Sequence, residues 1–368
     1  MRSRRMITVV GCHAGGEVGN VVVGGVLPPR GATVFEQMQT LQREGDWLRR
    51  LLLREPRGSV ACHANLVVPP TRPDCAAGFI IMEPTEYPAM SGSNTICTAT
   101  VLLETGMIEM HEPETVVRLE APGGVVEVRA ACRDGRCESV ELTNVACFAD
   151  RLDAAIEVEG IGTVTVDVAY GGMWYAIADA RALGFAIEPH EARDLSLAGE
   201  RIRAAAREQL PCSHPENPAI AGVSIVQLAG PWQGVGNVSR NAVVVAPGRL
   251  DRSATGTGLS ARMAVLHARG LMGIGDAMTR RSEITAITPK EGRSGRLVFV
   301  TLRHTVTGPR GVVAVEDQDI AYREAAAAGA SDRPGAAQAT AAERPRTDWD
   351  EPFTPDPVLR FRYSARTF

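Results

Sequence analysis

The chain has 368 residues, a net charge of −4 and 22% charged residues, a length that suits two domains of ordinary soluble composition. A pI near 6.0 argues against a nucleic-acid partner. No apolar run reaches membrane-spanning length, no secretory h-region follows the basic start Met1–Arg5, and the eight cysteines are scattered without CxxC pairs, so reduced thiols in a cytoplasm are expected.

In chain order, Met6–Val10 reads as a short strand. The loop Gly11-Cys12-His13-Ala14-Gly15-Gly16-Glu17 follows, in which His13 and Glu17 read as loop hydrogen-bonders rather than a functional pair. Val18–Val23 is a strand closed by the turn Gly24-Gly25. Val34–Leu53 has the spacing of one helix ending before Pro56, and Cys62–Val68 and Gly78–Met82 are strands. Thr115–Glu120, Val125–Ala130, Ser139–Leu142 and Gly162–Asp167 alternate as half-buried strands. Tyr170-Gly171-Gly172-Met173-Trp174-Tyr175 is a Gly turn into another strand. Glu191–Gln209 reads as a surface helix, and Val223–Leu228 and Asn237–Val245 as strands. Strands and helices interleave throughout, which predicts an α/β or α+β fold.

One pattern occurs twice. Ser91-Gly92-Ser93-Asn94 opens the helix-like run Thr95–Thr105 and stops at Gly106; Thr255-Gly256-Thr257-Gly258 opens Leu259–Arg269 and stops at Gly270. Matching starts and stops suggest internal duplication, each half gathering strands around one apolar helix. The first N–H groups of such helices lack internal partners and carry about half a positive charge. Two of these ends facing each other would hold a carboxylate and set one hydroxyl on each side of it. Two ordinary capped helices would show the same pattern, and the repeat alone leaves that choice open.

Met90–Thr95 with Glu104-Thr105-Gly106, and Asp251–Gly258, resemble the two active-site motifs of the proline racemase family. Gly16-Glu17-Val18-Gly19, Cys62-His63-Ala64-Asn65 and Asp167–Gly172 fit the same resemblance, which spans about residues 6–285. It implies a diaminopimelate-epimerase-like fold of two pseudo-symmetric lobes, each a curved sheet around a central helix, expected at residues 6–125 and 126–289. It further implies a small-molecule substrate, proline or hydroxyproline, with no cofactor and no metal; a homodimer is left open. Family racemases and epimerases carry a cysteine in each motif, where this chain has Ser91 and Thr255, and Ser93 replaces a common histidine. A helix N-terminus can lower a cysteine pKa to about 3.5–7.5; a hydroxyl starts far higher and needs help to act as a base.

The resemblance therefore implies a one-base elimination more than a two-base racemisation. In trans-3-hydroxy-L-proline the α-hydrogen and the 3-hydroxyl lie on the same face of the ring. Ser91 would take the proton, Thr255 could be inert, and the product would tautomerise to pyrroline-2-carboxylate. By the family match Gly92, Ser93, Asp251, Gly256 and Thr257 would hold the carboxylate and ring nitrogen. The alternatives are 4-hydroxyproline 2-epimerisation, proline racemisation, or an inactive fusion product that binds a cyclic amino acid without turnover.

A second resemblance concerns the tail. Gly292–Thr301, Glu316–Arg323, Phe353–Asp356 and Phe361–Ser364 look like part of a MaoC-type hot-dog acyl-CoA hydratase. Strands of that kind are expected at 290–324, then a linker-like, disordered tail at 325–368 rich in Ala, Pro and charge. This implies a gene fusion or deletion scar in which the last strands of the racemase-like fold, which should close its lobes, are missing.

Overall fold

The computed structural model describes residues 5–231, 240–253, 255–271, 279–292, 295–308 and 311–323, the last three ranges as backbone. The first lobe comprises β1 (Thr8–Val10), β2 (His13–Ala14), β3 (Glu17–Gly24), α1 (Val34–Glu44), α2 (Trp47–Leu53), β4 (Cys62–Val68) and β5 (Ala77–Met82). It continues through α3 (Gly92–Glu104), β6 (Glu114–Ala121), β7 (Gly124–Arg133) and β8 (Arg136–Thr143). The sheet order is β1-β3-β4-β5-β6-β7-β8, with β2 paired to β3. The parallel pair β3–β4 requires a crossover, supplied by α1 and α2. The single helix expected at Val34–Leu53 is two because Gly45 ends α1, its N–H bonded to Leu41 O, and Asp46 then starts α2 by gripping Arg49.

Side-chain alternation sorts this sheet into two faces. Phe79 and Ile81 pack with Leu102 and Leu103 of α3, while Ile80 and Met82 pack with Met38 and Leu48 of α1 and α2. All of β5 is buried, so its sequence shows an unbroken apolar run.

The second lobe repeats the plan with β9 (Phe148–Val158), β10 (Gly162–Tyr170), β11 (Trp174–Asp179), α4 (Ala192–Gln209), β12 (Ile225–Ala229), β13 (Asn241–Val245), β14 (Arg249–Leu250) and α5 (Gly256–Ala268). Its order is β14-β13-β12-β11-β10-β9, and α4 bridges the parallel pair β11–β12. Trp174, Ala176, Val226 and Leu228 face Leu195 and Ile202 of α4; Tyr175, Ile177, Ile225 and Val243 face Ala261 and Val265 of α5.

The lobes differ after their central helices. Following α3, the meander β6–β7–β8 joins the sheet through the parallel pair β5–β6. Following α5, the meander β15 (Thr279–Gly292), β16 (Gly295–Gly308) and β17 (Gly311–Arg323) is a sheet of its own.

β7 hydrogen-bonds onto β6 and β8 onto β7, so the first lobe's sheet runs to Thr143 and a division at 125/126 would cut a hairpin. Of the strands here, β16 and β17 fall within the expected 290–324, and β15 begins earlier, at Thr279, carrying Pro289 in an edge strand of the described sheet, where a missing N–H is tolerated. The expected disordered tail at 325–368 lies outside the described residues.

Candidate active site

Ser91 is the N-cap of α3 and Thr255 the N-cap of α5, and neither side chain caps its own helix. The first-turn N–H groups of both helices are therefore left without side-chain caps, as an anion site requires. Ser91, Gly92, Ser93, Asp251, Thr255, Gly256 and Thr257 all line one cleft between the lobes. Met90, Met173, Ile225 and Val245 give it apolar wall, and His63, Glu83, Tyr175, Arg249 and Ser253 add polar groups.

On the first-lobe side, Asn94 Nδ2 donates to Ser91 Oγ at 2.9 Å and lies 3.2 Å from His63 Nδ1. Asn65 Nδ2 holds Asn94 Oδ1 at 2.8 Å. Ser93 Oγ is 3.4 Å from Ser91 Oγ. A donor aimed at Ser91 Oγ favours its negatively charged form, and so does the helix N-terminus.

On the second-lobe side, Thr255 Oγ1 donates to Asp251 Oδ2 at 2.5 Å, Ser253 Oγ to the same oxygen at 3.1 Å, and Ser253 N to Oδ1 at 2.9 Å. Burial, followed by the nearby Glu17, pushes the Asp251 carboxyl upward, with Arg249 opposing. Thr255 has φ of +43°, a left-handed conformation that is strained for a β-branched residue. Tyr175 OH and Thr257 Oγ1 are 2.6 Å apart, and burial raises the Tyr175 phenol well above its ordinary value.

Glu17 ties the two sides together. It is 1% exposed, and it accepts from Arg249 Nη1 at 2.9 Å and from Arg252 N at 2.8 Å. Arg249 Nη2 also donates to His63 Nε2 at 2.9 Å. The expected loop around His13 and Glu17 is a tight hairpin instead: His13 sits in β2, where burial and then Arg252 push its pKa down to about 4, and Glu17 opens β3.

Sequence reading missed His63, Asn65, Asn94 and Arg249 as site residues. A signal was present in β4: Ala64, Leu66 and Val68 belong to the core under α1 and α2. His63 and Asn65 therefore occupy the opposite face, which is buried too, and buried polar residues there need partners.

Two duplicated lobes with hydroxyl-bearing helix ends on a shared cleft define a pseudo-symmetric α/β protein of the diaminopimelate-epimerase-like kind. The chain belongs to the proline racemase family, described as "Proline racemase", whose model matches residues 9–293. A second model, hydroxyacyl-thioester dehydratase type 2, matches residues 259–368 and so overlaps the end of the first. Among solved structures, the chain is 40% identical to a hydroxyproline epimerase from Agrobacterium vitis with bound trans-4-hydroxy-L-proline, with a TM-score of 0.72 over 87% of this chain and 94% of that one. It is 37% identical to a probable proline racemase from Agrobacterium radiobacter K84 with bound carbonate, with a TM-score of 0.70 over 87% of this chain and 93% of that one.

Proposed function

We propose that the cleft binds a cyclic α-amino acid of the proline type and removes its α-proton with the chain's own side chains. The observation that carries this reading is the placement of Ser91 and Thr255, each at an uncapped helix N-terminus, in one cleft. The carboxylate sits against the N–H groups at Gly92, Ser93, Gly256 and Thr257, where both helix dipoles favour it. Asp251 faces the ring nitrogen. Ser91 is the base, its alkoxide favoured by Asn94 and by α3.

Within that chemistry we infer dehydration of trans-3-hydroxy-L-proline to pyrroline-2-carboxylate. The absence of a thiol at both motif positions supports it, since elimination from one face needs one base. The second reading is epimerisation of 4-hydroxyproline, favoured by the likeness to the hydroxyproline epimerase structure. Incubation in deuterated water separates the two. Dehydration yields an imine that borohydride reduces to proline; epimerisation leaves deuterium on the α-carbon of recovered hydroxyproline. A chain that binds these amino acids in calorimetry, with no imine and no α-deuterium after long incubation, would sink both.

A further inference from the structure

Ser91 and Thr255 differ in what stands behind them. Ser91 Oγ accepts from an amide, which cannot take its proton. Thr255 Oγ1 donates to a carboxylate at hydrogen-bonding distance, the arrangement that lets a hydroxyl pass a proton on. The same carboxylate oxygen accepts from Ser253, and the backbone N–H of Thr255 donates to Ser253 Oγ at 2.9 Å, so Ser253 clamps the pair. Thr255 keeps a strained left-handed backbone within this clamp, the kind of outlier that concentrates at functional positions.

We propose that Thr255 and Asp251 form a proton relay, with Asp251 as the terminal acceptor and donor for the face of the substrate opposite Ser91. This rests on the reading that the cleft binds a cyclic α-amino acid. In the forward direction the Cα–H bond breaks and its proton passes to Thr255 Oγ1, while the hydroxyl proton of Thr255 passes to Asp251 Oδ2. Thr255 ends as it began, Asp251 ends as a neutral carboxylic acid, and the electron pair stays on the substrate as a carboxylate-stabilised carbanion. The reverse steps deliver a proton to that carbanion. Burial and the charge of Glu17 fit Asp251 for this, because both make the protonated carboxyl easier to reach than it would be in water. Thr255 is then an acid–base group rather than a spectator, and the chain holds a proton-transfer group on each face of its cleft.

The test is solvent-deuterium wash-in at Cα, followed by NMR, on both enantiomers of proline and both C2 epimers of 4-hydroxyproline. Thr255→Val should lower exchange in one α-configuration by about 10²-fold or more, with less than tenfold change in the other, and Asp251→Asn, which also loses its contact to the ring nitrogen, should lower both but that same configuration by about 10²-fold more. Thr255→Ser, which keeps the hydroxyl, should restore the lost exchange, and Ser91→Ala should show the opposite selectivity. A parallel fall in both configurations, as expected if Asp251 only binds the ring nitrogen, would overturn the relay, and so would exchange indifferent to Thr255. An infrared titration of the full chain needs no substrate. The Asp251 carboxyl band, identified by its loss in Asp251→Asn, should titrate at higher pH in Thr255→Val, with Glu17, Arg249 and Tyr175 unchanged around it. If the wild-type chain exchanges no α-hydrogen yet this shift occurs, the substrate reading fails and the dyad stands. If exchange occurs and the band does not move, the dyad fails alone.

Discussion

In the proposed reaction Ser91 is the base on one side of the cleft, and its surroundings are those that would help a hydroxyl there. Its oxygen receives the Asn94 amide at 2.9 Å and faces the start of α3, two influences that stabilise charge on it. Ser91→Ala removes the oxygen without touching the N–H groups proposed to hold the carboxylate. Turnover should fall by about 10²–10⁴-fold, the usual contribution of an acid–base group, with substrate affinity by calorimetry within a few-fold of wild type. Undiminished turnover would remove Ser91 from the mechanism. The motif residues were legible in the sequence because a helix start is local: Ser91 to Ser93 and Thr255 to Thr257 announce themselves by their neighbours. His63 and Arg249 were not, because they meet only when a strand from each lobe faces the same cleft, across 186 positions of sequence. Asn94 was passed over as a fourth small polar residue in its motif, although its amide reaches Ser91, His63 and Asn65 together.

At the scale of elements, each motif helix is seated against a glycine: α3 against Gly19 of β3, and α5 against Gly171 in the turn between β10 and β11. Gly171 lies under the first turn of α5: a Cβ there would stand 2.1 Å from Thr257 O and 2.5 Å from Ala261 N. Asn144, in the link between the lobes, fastens the same place by donating to Gly171 O at 2.8 Å and to Ser260 Oγ at 2.9 Å. Gly171→Ala must push α5 off the sheet, and because the neighbour is backbone it cannot be absorbed by a rotamer change. Overpacking of this kind costs about 1–3 kcal/mol. The variant should unfold at lower temperature and lose activity through Thr255 and Thr257, and wild-type stability with full activity would contradict this packing. The Gly-Gly turn was visible in the sequence as a turn, but its role under α5 was not. Strand β9 escaped for another reason. Asp153, at φ of +55°, interrupts its pairing with β10 where the register shifts, and that bulge destroys the period-2 pattern by which a strand is read. Arg269 closes over the bulge, bonding Asp153 and Asp167 at 2.7 Å each.

At the scale of the whole molecule, the lobes are joined by buried charge. Glu17 of β3 meets Arg249 of β14 and Arg252 beyond it, so the cleft's shape depends on an ion cluster contributed from both lobes. A second junction is less well compensated. Glu86, in the connection from β5 to α3, is pushed up to about 8 by burial and then by Glu83, and the charges of Arg207 and Arg203 on α4 offset only part of this. Its Oε1 has no hydrogen-bond partner among the described residues. The sign of the resulting pH dependence follows from linkage. The ordinary carboxyl titrates at 4.5, so between that value and about 8 the folded chain keeps a proton that the unfolded chain has lost. The stability that goes with this proton is fully present below pH 4.5 and is lost as pH rises through the window to about 8. Glu86→Gln keeps a neutral side chain of the same shape at every pH. Thermal unfolding of the two proteins should coincide near pH 4, and the variant should gain on the wild type through neutrality and remain ahead at pH 9. A variant that is instead weaker at neutral pH would show that Glu86 is ionised and bound to Arg203 and Arg207, and the contact between the first lobe and α4 would then be a salt bridge rather than a buried acid.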